Sequence, residues 1–251
     1  QHSDMLEAWF AHVAGLHVVT PSNAADAQGL MRSSIACNDP VIFIENILCY
    51  GLKAPDPGPG YRVPLGKAAI AREGGDVSII TYGRTVLDAL AVAAELANER
   101  ISVEVVDLRT IAPYDEATVL ASVRKTGRAL TLHEAVRPFG TGAEIAANIQ
   151  EKCWDSLKGP VRRIGGTFSP VPFASVLEQA WIPNKQQIVD QIKQIELKPG
   201  ADKAAPAMTV TLANGKSGEF VPAVANGSFK GESDFGQVEV PIGSLSKVVF
   251  K

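Results

Sequence analysis

Two patterns of apolar and polar positions alternate along the chain: short unbroken apolar runs, and longer stretches with apolar residues at helical spacing. The run Val103–Val106, β-branched but for Glu104 and closed by Asp107, has the mixed burial and β-branched character expected of a strand. Thr110 to Asp115, which contains Pro113, reads as a helix start, and Ala117, Val119, Leu120 and Val123 follow at helical spacing. Lys125, Gly127 and Arg128 supply the cations and the glycine that suit a helix C-terminus. A second apolar run, Ala129–Leu132, ends on His133 and Glu134, and a loop with Gly140 and Gly142 opens a helix over Ala143–Ile149. Strand, helix, strand, loop and helix at these intervals predict an α/β fold with a mostly parallel sheet.

The same reading extends in both directions. Ser3 or Asp4 caps a short helix carrying Leu6, Trp9, Phe10 and Val13, and Leu16–Thr20 is a short strand. Pro21 to Asp26 opens a helix whose buried stripe is Ala24, Ala27, Leu30, Met31 and Ile35, and Val41–Ile44 reads as a strand buried on both faces. Ala54–Gly60 alternates proline with glycine and aspartate and can join neither helix nor central strand. Beyond it come strands near Lys67–Ala71 and Val77–Tyr82 and a helix Val86–Arg100 with Leu87, Leu90, Ala91, Ala94 and Leu96 inward. A strand at Val161–Ile164, a short helix Ala174–Ala180 and an amphipathic helix Pro183–Ile195 follow. From Lys198 the helical pattern stops, Met208–Leu212 alternates like a strand and Asn214-Gly215 is a hairpin signal. The expected organisation is a first piece over 1–53, a linker over 54–65, a main domain over 66–197, and a linker with a β-rich or disordered tail over 198–251.

Composition narrows the classes. A net charge of −3 over 251 residues leaves no electrostatic footprint for nucleic acid, and no apolar run reaches the roughly 20 residues that span a bilayer. The N-terminal stretch lacks the basic region and apolar core of a signal peptide, so a non-secreted chain is expected. Cys37, Cys49 and Cys153 are odd in number and lack metal-type spacing, which suits reduced thiols in a reducing compartment. Gly140-Thr-Gly142 invites a dinucleotide reading, but Val136–Phe139 separate it from the strand and Ile145 takes the third glycine's place. Close helix packing explains these glycines better. His133 and Glu134 sit at a strand end where α/β sheets place ligands, yet alternation points them to opposite faces, so structural duty outweighs catalysis. His12 and His17 read as non-catalytic. His2, in a polar stretch ahead of a helix, could be both exposed and positioned.

Several segments in collinear order carry a resemblance: Gln1-His2-Ser3, Glu7–His12, Gly15–Val19, Asp39–Glu45, Tyr50-Gly51, Pro64–Ala68, Thr81–Arg84, Val103–Thr110, His133–Ala135, Gly142–Ile145, Pro170–Phe173, Leu177-Glu178 and Ile182-Pro183. Over about residues 1–195 the chain resembles the β subunits of thiamine-diphosphate-dependent 2-oxoacid dehydrogenases, the E1 component of the pyruvate dehydrogenase type. The resemblance implies the last third of a pyrimidine-binding domain followed by a transketolase C-terminal domain. It also implies an α2β2 tetramer of the E1 α subunit with two β subunits. Thiamine diphosphate and Mg²⁺ would lie at the α/β interface, and the E2 dihydrolipoyl acyltransferase would be the partner. Such an enzyme decarboxylates a 2-oxoacid and reductively acylates the lipoyl group. By the same resemblance His2 is the family's active-site histidine. Backbone carbonyls of Ser34, Ile35, Cys37 and Asp39 would hold a monovalent cation such as K⁺.

The departures from the family pattern shape the expectation. The sequence starts at Gln1, without the upstream segment that carries the family's cofactor-binding glutamate, so a chain acting alone should be inactive. Asp4 replaces the family's glutamine and would favour a protonated His2. Lys158 replaces a frequent aspartate in the region that meets E2, and Phe168-Ser169 replaces another. Glu7-Ala-Trp-Phe10 favours pyruvate or acetoin over branched-chain substrates. Two other readings stay open: a non-catalytic fragment used for dimerisation or E2 docking, and a nicotinamide-dependent oxidoreductase resting on Gly140-Thr-Gly142 alone. The compartment implied is the bacterial cytoplasm or the mitochondrial matrix.

Overall fold

The computed structural model describes residues 4–196 and, beyond them, the backbone of short strands between 208 and 250. Two compact units result, 1–198 and 199–251. The first contains α1 (Glu7–Ala11), β1 (His17–Val19), α2 (Ala24–Ala36), β2 (Val41–Phe43), a 3₁₀ turn at Ile47–Cys49, β3 (Ala69–Arg72), β4 (Val77–Thr81) and α3 (Thr85–Ala97). It continues with β5 (Val103–Asp107), β6 (Thr110–Ala112), α4 (Glu116–Thr126), β7 (Ala129–Val136), α5 (Thr141–Lys152), β8 (Arg162–Gly166), α6 (Ser175–Trp181) and α7 (Lys185–Glu196).

The main sheet runs β3-β5-β4-β7-β8, parallel throughout except for the antiparallel edge strand β3. β4 and β5 are buried at every residue, the polar Ser78, Thr81, Glu104 and Asp107 included. Val77, Ile79, Val103, Val105, Leu130 and Leu132 meet α3 and α7 on one face. Ile80, Val106 and Ala129 meet α4 and α5 on the other, where Val18 of β1 joins the same cluster. α4 ends as expected, with Gly127 at φ 73° and Arg124 and Lys125 in the last turn. Asp115 caps its start by accepting from the Thr118 amide.

In the second unit β9 (Met208–Thr211), β10 (Ser217–Phe220), β11 (Ala223–Ala225), β12 (Ser228–Ser233), β13 (Gly236–Pro241) and β14 (Lys247–Phe250) form two three-stranded antiparallel sheets, ordered β10-β9-β14 and β11-β12-β13. The expected hairpin turn at Asn214-Gly215 lies outside the described residues.

Several expectations need correction. Thr110–Ala112 is not a helix start but strand β6, pairing antiparallel with β1 in a small sheet ordered β2-β1-β6; the helix begins only at Glu116. This pairing is non-local, and it joins the first piece to the main domain. β2, at the edge of that sheet, is half-buried rather than covered on both faces. Asp4 does not cap α1, which starts at Glu7 with Leu6 in the cap position and no side-chain cap; Ser3 lies outside the described residues. α3 turns Val86, Ala89, Val92, Ala93 and Leu96 inward, and Leu87 and Ala91 are only partly covered. Leu90 packs against the core only in part, and Ala94, expected inward, is exposed. In α2 only Leu30 of the expected stripe is buried, and Ile35 is 78% exposed.

Candidate functional site

The C-terminal ends of β4 and β7 hold a cluster of buried polar groups, at the position where parallel sheets place ligands. Tyr82 follows β4, and its hydroxyl donates to Glu7 Oε1 at 2.6 Å and lies 2.6 Å from Thr141 Oγ1. Glu7 is completely buried, and its Oε2 has no partner among the described residues. Burial raises the Glu7 carboxyl above its ordinary range, opposed by the Tyr82 hydrogen bond and reinforced by the nearby Glu134 charge. Burial likewise pushes the Tyr82 phenol well up. The triad ties α1 to the main domain through a carboxyl that holds its proton more tightly than a surface acid.

His133 is part of the same cluster. Its imidazole is buried, its Nδ1 lies 3.0 Å from the Ala135 carbonyl, and its ring stacks on Tyr82 with centroids 6.1 Å apart. A carbonyl accepts only, so Nδ1 carries the proton. Burial lowers the pKa to about 4, which keeps the ring neutral at physiological pH. Three glycines make room for it. A Cβ at Gly142 would stand 2.7 Å from His133 Cδ2 and Nε2, and one at Gly140 or Gly165 would stand 2.7 Å from Cε1. The imidazole thus fills the space beside these three glycines, as close packing there requires.

Glu134 points the other way, as alternation requires. It accepts from Asn46 Nδ2 at 3.0 Å and Arg84 Nε at 3.2 Å, and Arg84 also holds Asp88 at 3.0 Å. A further buried set fastens α2 to the end of β5. Ser22 Oγ donates to Asp107 Oδ2 at 2.5 Å, the Arg109 amide donates to Asp107 Oδ1, and the Arg109 guanidinium pairs with Asp26 at 2.9 Å. Arg109 sits at φ 59°, a left-handed conformation held by these contacts and by its carbonyl, which accepts from the Thr20 amide at 2.9 Å.

The four residues expected to hold a monovalent cation lie together where α2 ends. Ser34 and Ile35 are in its last turn, Cys37 is its C-cap, and Asp39 is exposed in the following turn. The Ser34 carbonyl already accepts the Cys37 amide at 3.2 Å. Unsatisfied carbonyls and the negative end of the helix dipole gather at such a terminus. His2 lies outside the described residues. His12 is exposed. His17 faces Asp39, with Nε2 and Oδ2 3.4 Å apart.

The Glu7–Tyr82–Thr141 cluster and the Ser22–Asp107 and Asp26–Arg109 pairs were not legible beforehand. Their partners are 75, 59, 85 and 83 residues apart. The available signal was the presence of polar residues at positions flanked by apolar runs, such as Asp107 closing β5.

Comparison with known proteins defines the class. Residues 66–188 match the transketolase C-terminal domain and residues 1–50 match the transketolase pyrimidine binding domain. The architecture also resembles a chain described as a split gene transketolase, inactive beta4 tetramer, with a TM-score of 0.62 and 21% identity over 78% of this chain and 63% of that one. The chain therefore carries sequence of both transketolase domains, the pyrimidine binding domain and the C-terminal domain.

In sequence the chain is similar to pyruvate dehydrogenase E1 β subunits. It is 42% identical over 193 residues to the pyruvate dehydrogenase E1 component subunit beta of Staphylococcus epidermidis, covering 76% of this chain and 59% of the relative. It is 44% identical over 198 residues to the mitochondrial subunit beta-2 of Oryza sativa, covering 77% and 53%. The chain therefore spans between half and three-fifths of the length of these relatives.

Proposed function

We propose that the chain works as the β subunit of a pyruvate dehydrogenase E1 component, acting with an E1 α subunit to decarboxylate pyruvate and reductively acetylate the lipoyl group of E2. The observation that supports this most is the collinear match to E1 β subunits through both domains, at 42–44% identity. Thiamine diphosphate, bound with Mg²⁺, supplies the carbanion chemistry by which a 2-oxoacid loses carbon dioxide. Among the described residues, the group of three clustered metal-ligating side chains includes an imidazole and a thiol, unlike the oxygen shell that Mg²⁺ takes, so no Mg²⁺ ligand is assigned to them. We place that ion and most cofactor contacts at the α/β interface, within an α2β2 assembly, and expect the chain alone to be inactive.

In this reading His2 donates the proton that the lipoyl dithiolane needs. The electron pair left as carbon dioxide departs would form the bond from the acetyl carbon to one sulfur, the sulfur–sulfur bond would break, and its pair on the other sulfur would take the proton. The carbonyls of Ser34, Ile35, Cys37 and Asp39 hold K⁺ at the end of α2, a location whose helix dipole favours a cation. The subunit contacts fall on the first piece, which leaves Trp9 72%, Ile35 78%, Ile47 73%, Leu48 64% and Tyr50 66% exposed, an apolar surface suited to a partner chain. E2 then docks on the main domain, and the compartment is the bacterial cytoplasm or the mitochondrial matrix. No helix among the described residues is long and apolar enough to cross a membrane.

The test is His2→Ala in the assembled enzyme, with two readouts. Lipoyl acetylation is expected to fall about 100-fold or more, in line with the loss of a general acid. Pyruvate decarboxylation measured with an artificial electron acceptor, and cofactor binding, should change far less. Equal loss in both assays, or none in either, removes the role given to His2.

A further inference from the structure

Apart from the buried clusters, one group of side chains among the described residues brings together donors of different chemistry. His17 on β1, Cys37 at the C-cap of α2 and Asp39 in the turn before β2 place an imidazole nitrogen, a thiol sulfur and a carboxylate oxygen within 4.8 Å of one another. The scaffold under them is fixed at several points. The His17 amide donates to the Pro40 carbonyl at 3.0 Å, His17 is in parallel register with Val41, and the Cys37 amide donates to Ser34. All three ligands therefore sit on one hydrogen-bonded turn and the strand beside it.

The spacing is informative. His17 Nε2 and Asp39 Oδ2 stand 3.4 Å apart, longer than the usual hydrogen bond. Two ligands on one tetrahedral zinc, each at ~2.0–2.1 Å, stand roughly 3.3 Å apart. The other ring nitrogen, His17 Nδ1, is buried without a partner among the described residues. The imidazole thus turns an edge toward Asp39 without gaining a full set of hydrogen bonds.

We propose that His17, Cys37 and Asp39 form a side-chain site for a divalent first-row transition ion of the zinc type, with a fourth position open to water or another ligand. A thiolate and a carboxylate would balance the ion's charge, and the nitrogen–sulfur–oxygen set suits zinc, cobalt or copper rather than Mg²⁺, Ca²⁺ or K⁺. This site is distinct from the carbonyl site suggested for K⁺, although Cys37 and Asp39 belong to both: one uses side chains, the other main-chain oxygens. It does not depend on the function proposed above.

The experiment uses the full chain, in K⁺ buffer, with Zn²⁺ and Co²⁺ alone as probes. One equivalent of Zn²⁺ is expected to bind and to protect Cys37, but not Cys49, from iodoacetamide, as mapped by mass spectrometry. Co²⁺ should give tetrahedral ligand-field bands together with a thiolate charge-transfer band. Cys37→Ser and His17→Gln should each weaken Zn²⁺ binding at least tenfold, whereas His12→Asn and Cys49→Ser should leave it unchanged. Absence of stoichiometric binding, a cobalt spectrum without the thiolate band, or alkylation of Cys37 undiminished by Zn²⁺ would overturn the site. The protection and spectral readouts use the parent chain, so they decide the matter even where a variant misfolds.

Discussion

Asp107 closes β5 in full burial, and burial pushes its carboxyl from an ordinary 3.8 up to about 6, although Ser22 and the Arg109 amide both donate to it. The folded state therefore holds the proton more tightly than the unfolded chain does. Stability contributed by the protonated form is fully present below about pH 3.8 and is lost as the pH rises through about 6. A separation of roughly two pH units corresponds to about 3 kcal/mol, of which about 2 kcal/mol falls between about pH 4.5 and about pH 7.5. Asp107→Asn removes the titration while keeping the shape. Whatever constant cost the amide brings through altered hydrogen bonds, the difference between variant and parent should move by about 2 kcal/mol in the variant's favour over that range. Urea unfolding of both chains at several pH values measures this directly. Ser22→Ala, which removes a donor to the carboxylate, should carry the parent's loss to higher pH. A difference between Asp107→Asn and parent that is flat to within about 0.5 kcal/mol would refute a raised Asp107 pKa and the linkage built on it.

Three further perturbations test the packing around the candidate site. Gly142→Ala should destabilise by about 1–3 kcal/mol, because the new Cβ would stand 2.7 Å from the His133 ring. Helix propensity alone predicts the opposite sign, a gain of up to about 1 kcal/mol, so a rise in melting temperature would discount the close contact. Tyr82→Phe should cost about 1–3 kcal/mol by leaving the buried Glu7 carboxyl without its donor; an unchanged denaturation midpoint would show that Glu7 finds another partner. Leu30→Ala, at a fully buried position, should cost about 2–5 kcal/mol, and a loss under about 1 kcal/mol would mean that this end of α2 packs loosely.

What could be read from the sequence follows from how far apart the interacting residues lie. Val103–Val106 and Ala129–Leu132 are legible because strands covered on both faces are rich in apolar residues even where Glu104 and Thr131 interrupt them, and Gly127 with its neighbouring cations marks the end of α4. β6 is not, because Thr110–Ala112 becomes a strand only through pairing with β1, some 90 residues earlier. The exposed end of α2 misled for a related reason. Met31 and Ile35 carry the spacing of a buried stripe, yet nothing among the described residues covers Ile35, and a pattern cannot say whether its cover comes from the same chain.

The candidate site was legible in the same uneven way. The glycines at 140 and 142 were read as packing residues, and the His133 ring between them gives that reading its geometry. The opposed directions of His133 and Glu134 followed from strand alternation alone. The His17–Cys37–Asp39 grouping was missed because its spacing of 20 and 2 residues matches no ligand motif, and the strand–helix–turn that assembles it is a property of the fold.

The central claim, that this chain is one half of a pyruvate-decarboxylating E1, is tested most directly by pairing. The native protein that carries this sequence is co-expressed with an E1 α subunit of the pyruvate dehydrogenase type, and pyruvate-dependent acetylation of a lipoyl domain is followed with and without thiamine diphosphate. The account predicts a stable α/β complex whose activity requires both chains and the cofactor. No complex, or a complex that leaves pyruvate and the lipoyl domain untouched in saturating thiamine diphosphate and Mg²⁺, would contradict it.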